Sequence, residues 1–439
     1  MKPQSAWIGL LLLGFGLVGC DQGRKNPPNV PVTLFHAAPS QGTLSFIRVQ
    51  VRESTLEYQQ SATGSWDADT YTFHVDLAPI GSDPERLLSF TRELVAENEY
   101  KFIAAERAGQ LEVIVLEAPV FSGGGGNLQI TPIHLAETLG PVDLFLEPPG
   151  SDLAAATPLA SLNFAQSGAP SPIAAGDYEV SLTEVGNPTN VILASNTFSL
   201  PVGQTVLFSI VEGANQGFAP VAVVASGGGD LQLVDRNLQS AVRAINAVAD
   251  RGAVDVGFDS ELAPPLIPDL AYGAVSDHVL IAEGTHNLTV APAGNPGSII
   301  LDAEFVANGG RFGTWLVAGN QGNLFSEFLL EDNRVLAGKA KVNIYNGAVG
   351  FAPIDVYIAE PGTDLDTVAP TAQLTTGTSR TGLTISPGDY ELTVEETGVG
   401  TVLAGPIAIT IAAGGNYSIL ATDTLAGATV DIALFDDFN

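Results

Sequence analysis

The segment PVDLFLEPPGSDL, residues 141–153, returns in nearly the same form as PIDVYIAEPGTDL, residues 353–365. Within the first segment, Val142, Leu144 and Leu146 alternate with Asp143 and Phe145. Successive side chains of a strand point to opposite faces of a sheet, so this alternation predicts a β-strand. The repeated segment predicts a duplicated domain, and the interval between the two segments leaves room for one further copy.

Two landmarks align four copies of this domain. The first is a His or Asn that ends a short strand, followed nine residues later by a carboxylate. It occurs as His134 with Asp143, Asn246 with Asp255, and Asn346 with Asp355, whereas the first copy has His36 and Ser45. The second is a turn that enters an alternating strand. It reads AGDYEVSL from residue 175, EGTHNLTV from 283, PGDYELTV from 387 and, less regularly, ADTYTFHV from 68.

The spacing of the strand and turn signals predicts the fold class. About seven short strands per copy, separated by Gly, Pro, Asn and Asp, are typical of a two-sheet sandwich. We therefore predict an all-β protein of four tandem immunoglobulin-like antiparallel β-sandwich domains, with a single large barrel as the alternative. Glycine runs at residues 122–126 and 226–229 suggest domain boundaries. The predicted division is a signal peptide (1–19), a tether (20–30) and copies at 31–121, 122–229, 230–334 and 335–439.

The N-terminus resembles a bacterial lipoprotein signal. Lys2 precedes an apolar run that is too short to span a membrane and ends in Leu-Val-Gly-Cys. This ending is similar to a lipobox, whose cysteine carries the lipid after cleavage, and Cys20 is the single cysteine of the chain. The resemblance implies attachment to a membrane of the bacterial cell envelope through Cys20. An ordinary secretory signal with a spare thiol is the alternative.

The charge composition excludes one class of function. The chain has 48 acidic and 17 basic residues, a formal net charge of −31. Nucleic-acid binding requires clustered cations that neutralise phosphates, so we exclude it. We interpret the acidic excess as a solubilising surface, with collection of divalent cations as the alternative.

The repeated motifs resemble a known family, domain of unknown function 4397. The residues that carry the resemblance are NAVADRGAVDV from Asn246, NGAVGFAPIDVYI from Asn346, PIHLAETLGPVDLFL from Pro132 and FHAAPS from Phe35. The first copy departs from the pattern because it lacks the carboxylate. The resemblance implies immunoglobulin-like domains in tandem in a secreted or envelope protein, and it implies no established activity.

The candidate site residues favour structural roles. His134 and Asp143 could begin a charge relay, but the other copies replace one member of the pair by Asn or Ser. A residue that alternates between His and Asn suits hydrogen bonding across a strand connection. We therefore interpret the six residues as structural turn pairs, and we expect Asp355 to accept hydrogen bonds from the loop that begins at Asn346.

Metal binding is a further hypothesis. His278 and His286 flank a turn and, with Asp277 nearby, could hold zinc, although solvated hairpin residues are the simpler interpretation. The EPPGSD and EPGTD loops, residues 147–152 and 360–364, each place two carboxylates on one turn, which could contribute to a calcium site. We expect no other cofactor.

These observations favour a non-catalytic protein. We predict a lipid-anchored envelope protein that presents its sandwiches as a structural, adhesive or ligand-binding array, with an envelope protein or polysaccharide as partner. The alternatives are an accessory glycan-binding module, which would need exposed aromatic side chains such as Trp66 and Trp315, and a hydrolase, for which we find no catalytic constellation.

Overall fold

The computed structural model describes residues 28–437 except 216–217, 260–261, 321, 352 and 425–428. Within these ranges the chain forms β-strands and one 3-10 helix, Leu365–Thr367. In this described part of the chain, the strands build separate pairs of sheets rather than a barrel. The prediction of an all-β fold made of tandem sandwiches is therefore confirmed.

Sandwich 1 contains eight strands in two four-stranded sheets. The strands are β1 (Asn29–Ala37), β2 (Leu44–Arg48), β3 (Val51–Leu56), β4 (Ser61–Asp67), β5 (Thr70–Leu77), β6 (Glu85–Glu93), β7 (Asn98–Arg107) and β8 (Gln110–Pro119). The first sheet has the order β4-β1-β7-β8, and the second has the order β3-β2-β5-β6.

Sandwich 2 repeats this plan with two additional short strands, β15 and β18. Its strands are β9 (Asn127–His134), β10 (Val142–Glu147), β11 (Ala160–Leu162), β12 (Ser171–Ala174), β13 (Gly176–Glu184), β14 (Asn187–Ala194), β15 (Phe198–Leu200), β16 (Thr205–Asn215), β17 (Ala219–Ser226) and β18 (Asp230–Leu233). The sheet orders are β12-β9-β16-β17-β18 and β11-β10-β13-β14, with β15 paired to β13.

Sandwiches 3 and 4 return to eight strands each. Sandwich 3 contains β19 (Ser240–Val248), β20 (Val254–Phe258), β21 (Ile267–Leu270), β22 (Val279–Ile281), β23 (Gly284–Pro292), β24 (Leu301–Ala307), β25 (Phe312–Asn320) and β26 (Asn323–Glu331). Sandwich 4 contains β27 (Ala340–Asn346), β28 (Ile354–Ala359), β29 (Ala372–Leu374), β30 (Thr378–Ile385), β31 (Gly388–Glu396), β32 (Val402–Ile411), β33 (Asn416–Asp423) and β34 (Val430–Asp436). Their sheets are β22-β19-β25-β26, β21-β20-β23-β24, β30-β27-β33-β34 and β29-β28-β31-β32.

All four sandwiches share one topology. In each, the opening strand pairs in parallel with a strand late in the domain: β1 with β7, β9 with β16, β19 with β25 and β27 with β33. The other strand pairs are antiparallel, as expected for sandwiches of this class.

The alternating segment that reveals the repeat lies at the centre of each core. Val142, Leu144 and Leu146 on β10 belong to the core of sandwich 2, and Ile354, Val356 and Ile358 on β28 belong to the core of sandwich 4. The residues between them face away from these cores. The period-2 pattern therefore identifies the inward face of the strand in both copies.

The second glycine run does not separate two domains. Residues 226–229 join β17 to β18, and β18 pairs with β17, so residues 230–233 belong to sandwich 2 rather than to the third copy. The backbone is tightly packed here, because a Cβ added at Gly227 would lie 2.4 Å from the carbonyl oxygen of Thr205. A glycine-rich composition therefore occurs in a tight turn within a sandwich as well as in a linker between sandwiches.

The sandwiches pack in pairs through their first sheets. Phe35 and Ile103 of sandwich 1 share a buried apolar cluster with Ile133 and Leu207 of sandwich 2. Sandwiches 3 and 4 pack in the corresponding way, through a buried apolar cluster whose members are Ile245, Ala247, Leu316, Ala318, Tyr345 and Leu420. Each pair therefore buries an apolar sheet face that a single sandwich would expose.

Further contacts join the two pairs into a closed cycle. Ile80 of sandwich 1 donates its N–H to the carbonyl of Thr384 in sandwich 4, at 2.8 Å. Phe218 of sandwich 2 packs edge-on against Phe312 of sandwich 3, with ring centroids 5.1 Å apart. The chain is thus one body rather than four independent domains in a row.

Candidate functional site

The His and Asn residues of the first landmark cap the loop that follows each opening strand. In sandwich 2, Ala136 donates its N–H to His134 Nδ1 at 3.3 Å, and His134 Nε2 donates to the carbonyl of Gly140 at 3.0 Å. Asn346 Oδ1 likewise accepts from Ala348 N at 2.9 Å, whereas its Nδ2 donates to the carbonyl of Leu374 at the end of β29. Asn246 makes both kinds of bond, since its Nδ2 donates to the carbonyls of Gly252 and Leu270. A neutral imidazole and an amide each supply one acceptor and one donor, which explains the alternation of the two residue types.

The same geometry keeps the histidines neutral. His36 is fully buried, accepts the N–H of Ala38 at Nδ1 and bonds the Gly42 carbonyl through Nε2. Burial, reinforced by the positive charge of Arg334, lowers the pKa of His36 to about 3. Burial also lowers the pKa of His134. Neither imidazole is placed as a proton-accepting base.

The Asp residues of the landmark bind to other elements than the sequence suggests. Asp355 accepts hydrogen bonds from Gln373 Nε2 and Thr397 Oγ1, both at 2.9 Å, rather than from the described part of the loop that begins at Asn346. The expectation for Asp355 is therefore wrong. Asp355 lies on β28. Its carboxylate accepts from β29 on one side and from the turn that follows β31 on the other.

Asp143 and Asp255 occupy the equivalent position and bind backbone groups. Asp143 accepts from Ser161 Oγ and from the N–H of Gly186, the latter at 2.7 Å. Asp255 accepts from the N–H groups of Asp269 and Gly294, at 2.9 and 2.8 Å. In copies two to four the carboxylate joins a neighbouring strand to the following hairpin turn, and the His or Asn nine residues earlier has separate partners.

The structure separates the two histidines proposed to bind zinc. His278 Nε2 lies 2.9 Å from Glu331 Oε2, whereas His286 Nδ1 lies 2.7 Å from Asp259 Oδ2 and belongs to the other sheet of sandwich 3. Among the described residues, no group of three or more His, Cys, Asp or Glu side chains is arranged to hold a metal ion. The structure therefore gives His278 and His286 separate partners and does not bring them together as a zinc site.

The EPPGSD and EPGTD loops use their second carboxylate to close a turn. Asp152 Oδ1 accepts the N–H of Ala154 at 3.0 Å, and Asp364 Oδ1 accepts the N–H of Asp366 at 3.2 Å. These bonds describe the turn that each loop makes. A role for calcium stays a prediction.

A buried ionic network crosses the junction of sandwiches 3 and 4. Arg243 on β19 contacts Glu331 at the end of β26, and its Nη1 lies 2.7 Å from Asp437 Oδ1. All three side chains are less than a tenth exposed. Burial alone would raise the pKa of Glu331, but the hydrogen bond from His278 and the charge of Arg243 hold that pKa below its usual value. The network therefore remains charged inside the interface.

A second charged cluster joins the connector that follows β26 to sandwich 1. Arg334 pairs with Asp332 at 2.6 Å and donates from Nη1 to the carbonyl of Pro39 at 2.7 Å. Lys341 lies 3.3 Å from Asp332. Although burial opposes the charged form, Arg334 and Lys341 hold the pKa of Asp332 at about 2. We call residues 332–339 the central connector, because it also donates from Asn333 N to the carbonyl of Ala214 in sandwich 2.

A polar cavity of about 370 Å³ lies between sandwiches 2 and 3. Its wall includes Asn196 and Gln232 of sandwich 2, and Glu283, Asn308 and Arg311 of sandwich 3. We call it the junction cavity. Its volume falls within the lower range of small-ligand sites in proteins.

Arg311 is held in this wall by its backbone. It ends a tight turn in which Arg311 N donates to the carbonyl of Asn308 at 3.2 Å, and its own carbonyl accepts from Ala241 N at 2.9 Å. The turn lies against the chain before β19, because a Cβ at Gly309 would meet the carbonyl oxygen of Leu238 at 2.4 Å. The guanidinium is thus presented from a rigid part of the sandwich.

The junction cavity combines an unpaired cation with unpaired acceptors. Burial lowers the pKa of Arg311, and the negative charge of Asp332 only partly offsets this effect. Glu283 Oε1 accepts from Asn196, while its Oε2 and the Oε1 of Gln232 are buried without a hydrogen-bond partner in the described structure. Burial raises the pKa of Glu283, the bond from Asn196 opposes this, and the charge of Asp235 adds to it. Such groups favour a polar ligand.

Sequence reasoning did not identify the junction cavity. Its residues come from two sandwiches and share no motif. No signal in the sequence distinguishes Arg311 from the other 16 basic residues of the chain. In the structure, most of the described basic residues form ion pairs. Among the described residues without an ion pair, Arg52 and Arg380 are exposed, whereas Arg311 is half-buried. That distinction requires the structure.

The tryptophans do not form an exposed platform. Trp66 is 9% exposed and Trp315 is 3% exposed, and both belong to the apolar cores of their sandwiches. The expectation that they could stack on a glycan is therefore wrong. Cys20, the predicted signal peptide and most of the tether lie outside the described residues.

Comparison with known proteins identifies one family domain. Residues 240–357 match the family model described as Domain of unknown function (DUF4397). The match covers β19 to β27 and most of β28, so it includes all of sandwich 3 and the opening of sandwich 4. The chain thus contains a DUF4397 domain, as the motif from Asn246 suggests.

Other comparisons are less informative. No curated protein matches the chain. One similar solved structure is the product complex of a multi-modular glycogen-degrading pneumococcal virulence factor, SpuA, at 8% identity and a TM-score of 0.15. The match covers 85% of this chain and 37% of that one, and a likeness at this TM-score supports no inference. The described residues include no helix with the length and apolar character needed to cross a membrane.

Proposed function

We propose that this chain is a non-catalytic, lipid-anchored protein of the bacterial cell envelope that presents four sandwiches as one ligand-binding body. The observation that carries this proposal is the closed cycle of contacts between the sandwiches, two of which form the walls of the junction cavity. A cavity formed between domains keeps its shape only if the domains hold fixed positions. The buried clusters and ionic networks at the junctions would provide this rigidity.

Envelope attachment is supported by the sequence. The apolar segment ending at Cys20 is similar to a lipoprotein signal, and the polar residues 21–30 would tether the sandwiches to the lipid. The shared topology of all four sandwiches supports a tandem array of domains related to the DUF4397 domain at residues 240–357. In this arrangement the lipid is the membrane partner, and the ligand is an envelope protein or a polysaccharide.

A binding role is favoured over catalysis by the use of the polar residues. His134 and Asp143 each bind turn groups, so the residues that could have begun a charge relay have separate structural partners. In contrast, the unpaired polar atoms of the junction cavity have no structural partner. Unpaired buried polar groups cost free energy unless a ligand satisfies them.

An accessory glycan-binding role is the second candidate. The junction cavity offers amide and carboxyl oxygens to hydroxyl groups, and Phe198, which is 9% exposed, contributes an apolar surface to its wall. Glycan sites combine such features. Glycan binding at this cavity does not require the exposed tryptophans that the sequence suggested.

Two experiments test the proposed function. Metabolic labelling with a fatty-acid analogue should modify the full-length chain, and Cys20→Ser should abolish the label. Glycan-array binding of the mature protein, with and without calcium, should show retention of particular saccharides. Label retained by the Cys20→Ser variant would overturn the anchor, and an array without binding would remove the glycan candidate.

A further inference from the structure

We propose that the junction cavity binds a sugar acid and that Arg311 is the counter-ion of its carboxylate. This inference rests on the proposed function, because it requires sandwiches 2 and 3 to hold fixed positions. It adds the chemical class of the ligand and the residue that selects it.

Arg311 is suited to a ligand carboxylate. Its side chain lies in the cavity wall, and no ion pair or side-chain hydrogen bond is described for it. Most other described arginines and lysines pair with a carboxylate of this acidic chain, as Arg236 does with Glu179 at 3.0 Å. A half-buried guanidinium without a partner is costly, and a carboxylate binds its planar fork through two parallel hydrogen bonds.

The other polar groups of the wall require hydrogen-bond donors. Glu283 Oε2 and Gln232 Oε1 are acceptors that lack partners in the described structure, and both side chains line the cavity. A rotation of either side chain toward the cavity would bring its oxygen within reach of a ligand hydroxyl. One cation and two acceptors are together complementary to a molecule that carries one carboxylate and several hydroxyls, which describes a sugar acid.

The charge of the wall argues against phosphate. Arg311 is the only cation among the described residues that line the cavity, which also include the carboxylates Asp230 and Glu283. A phosphate dianion would face these carboxylates with a single positive charge. Asp230 is already bound by Ser61 of sandwich 1, with its N–H at 2.7 Å and its Oγ at 2.6 Å, so it does not compete for Arg311. A monoanion pairs one-to-one with Arg311 and is repelled less by the two carboxylates than a dianion would be.

Isothermal titration of the mature protein tests the inference with three probes: D-glucuronate, D-glucose and acetate. We expect glucuronate to bind at least tenfold more tightly than either of the others, since glucose lacks the carboxylate and acetate lacks the hydroxyls. Arg311→Gln should abolish the preference for glucuronate over glucose. Arg380→Gln is the matched control. Arg380 is exposed and has no described ion pair, and its substitution removes the same charge.

Two outcomes would overturn the inference. These are equal binding of glucuronate and glucose, or unchanged glucuronate affinity in Arg311→Gln. If Arg311→Gln fails to fold, Arg311→Lys serves instead, and it should weaken glucuronate binding while glucose binding stays as in the parent. If scattering shows a compact protein and that protein does not bind glucuronate, the sugar-acid inference is refuted and the proposed function is not. An extended protein in scattering would refute the proposed function itself.

Discussion

The guanidinium of Arg334 lies over the ring of Tyr58, with its Cζ 4.0 Å from the ring centroid. Arg334 belongs to the central connector between sandwiches 3 and 4, whereas Tyr58 belongs to sandwich 1. Tyr58 in turn donates its hydroxyl hydrogen to the carbonyl of Glu212 in sandwich 2, at 2.8 Å. One stacked pair therefore links the connector to two sandwiches that precede it in the chain, which closes the cycle.

Replacing Arg334 by Met should lower the free energy of unfolding by about 2–4 kcal/mol, because it removes a cation–π contact, a partly buried ion pair and a hydrogen bond to Pro39. Urea unfolding measures the change. Arg92→Met is the matched control, since Arg92 also lies near a tyrosine and pairs with Glu117, but its side chain is 39% exposed. We expect the control to cost less than about 1 kcal/mol. Equal costs for the two variants would contradict the role of Arg334 in closure.

His36→Asn should reduce the loss of stability in acid. The pKa of His36 is about 3 in the folded protein and near 6.5 when unfolded, so between these values the unfolded chain binds a proton that the folded chain does not. The stability that His36 contributes is complete above pH 6.5 and falls as the pH falls toward 3. The contribution lost between pH 7 and pH 4 is on the order of 2–3 kcal/mol.

The Asn variant is expected to fold, because Asn246 and Asn346 hold the equivalent turns in sandwiches 3 and 4. Thermal unfolding between pH 4 and pH 8 should show similar stability of the two proteins at pH 8 and a shallower decline for His36→Asn. Identical pH profiles of the parent and the variant would contradict a neutral, buried His36.

Loss of the landmark carboxylate should cost more in sandwich 3 than in sandwich 4. Asp255 binds two backbone N–H groups, whereas Asp355 binds two side chains that can reorient toward water. We expect Asp255→Ala to lower the free energy of unfolding by about 1–3 kcal/mol and Asp355→Ala by about 1 kcal/mol or less. Urea unfolding of the two variants and the parent protein provides the comparison. A larger effect at Asp355 would refute the distinction between backbone and side-chain partners.

The two glycine runs should differ in their sensitivity to proteases. Residues 122–126 lie between β8 and β9, and a Cβ at Gly124, Gly125 or Gly126 would meet no atom within 4 Å. Residues 226–229 instead turn between two paired strands. Brief elastase digestion should therefore nick the chain at 122–126 well before 226–229. Early cleavage at 226–229, identified by mass spectrometry of the fragments, would contradict the assignment of β18 to sandwich 2.

The sequence was most informative where the physical cause is local. Alternation in the segment at Val142 predicts a strand because adjacent side chains must face opposite sides of a sheet. The recurrence of His or Asn indicates a shared turn because both side chains supply one donor and one acceptor. Sequence spacing alone misassigned the partners of Asp355, since Gln373 and Thr397 reach it only after the sheet has formed.

The contacts between sandwiches could not be predicted from the sequence. Arg334 binds the carbonyl of Pro39, a residue 295 positions earlier, and Arg243 binds Asp437, a residue 194 positions later. No periodicity connects residues at such separations. The cavity around Arg311 has the same origin, because its wall forms only when sandwiches 2 and 3 meet.

Small-angle X-ray scattering of the protein tests the central claim, that the four sandwiches form one closed body. A compact chain of this length has a radius of gyration of roughly 22 Å. We predict a value within several ångströms of this figure and a distance distribution with a single maximum. A value near twice as large, with a long tail in the distance distribution, would show sandwiches strung in a row and would contradict the closed cycle of contacts.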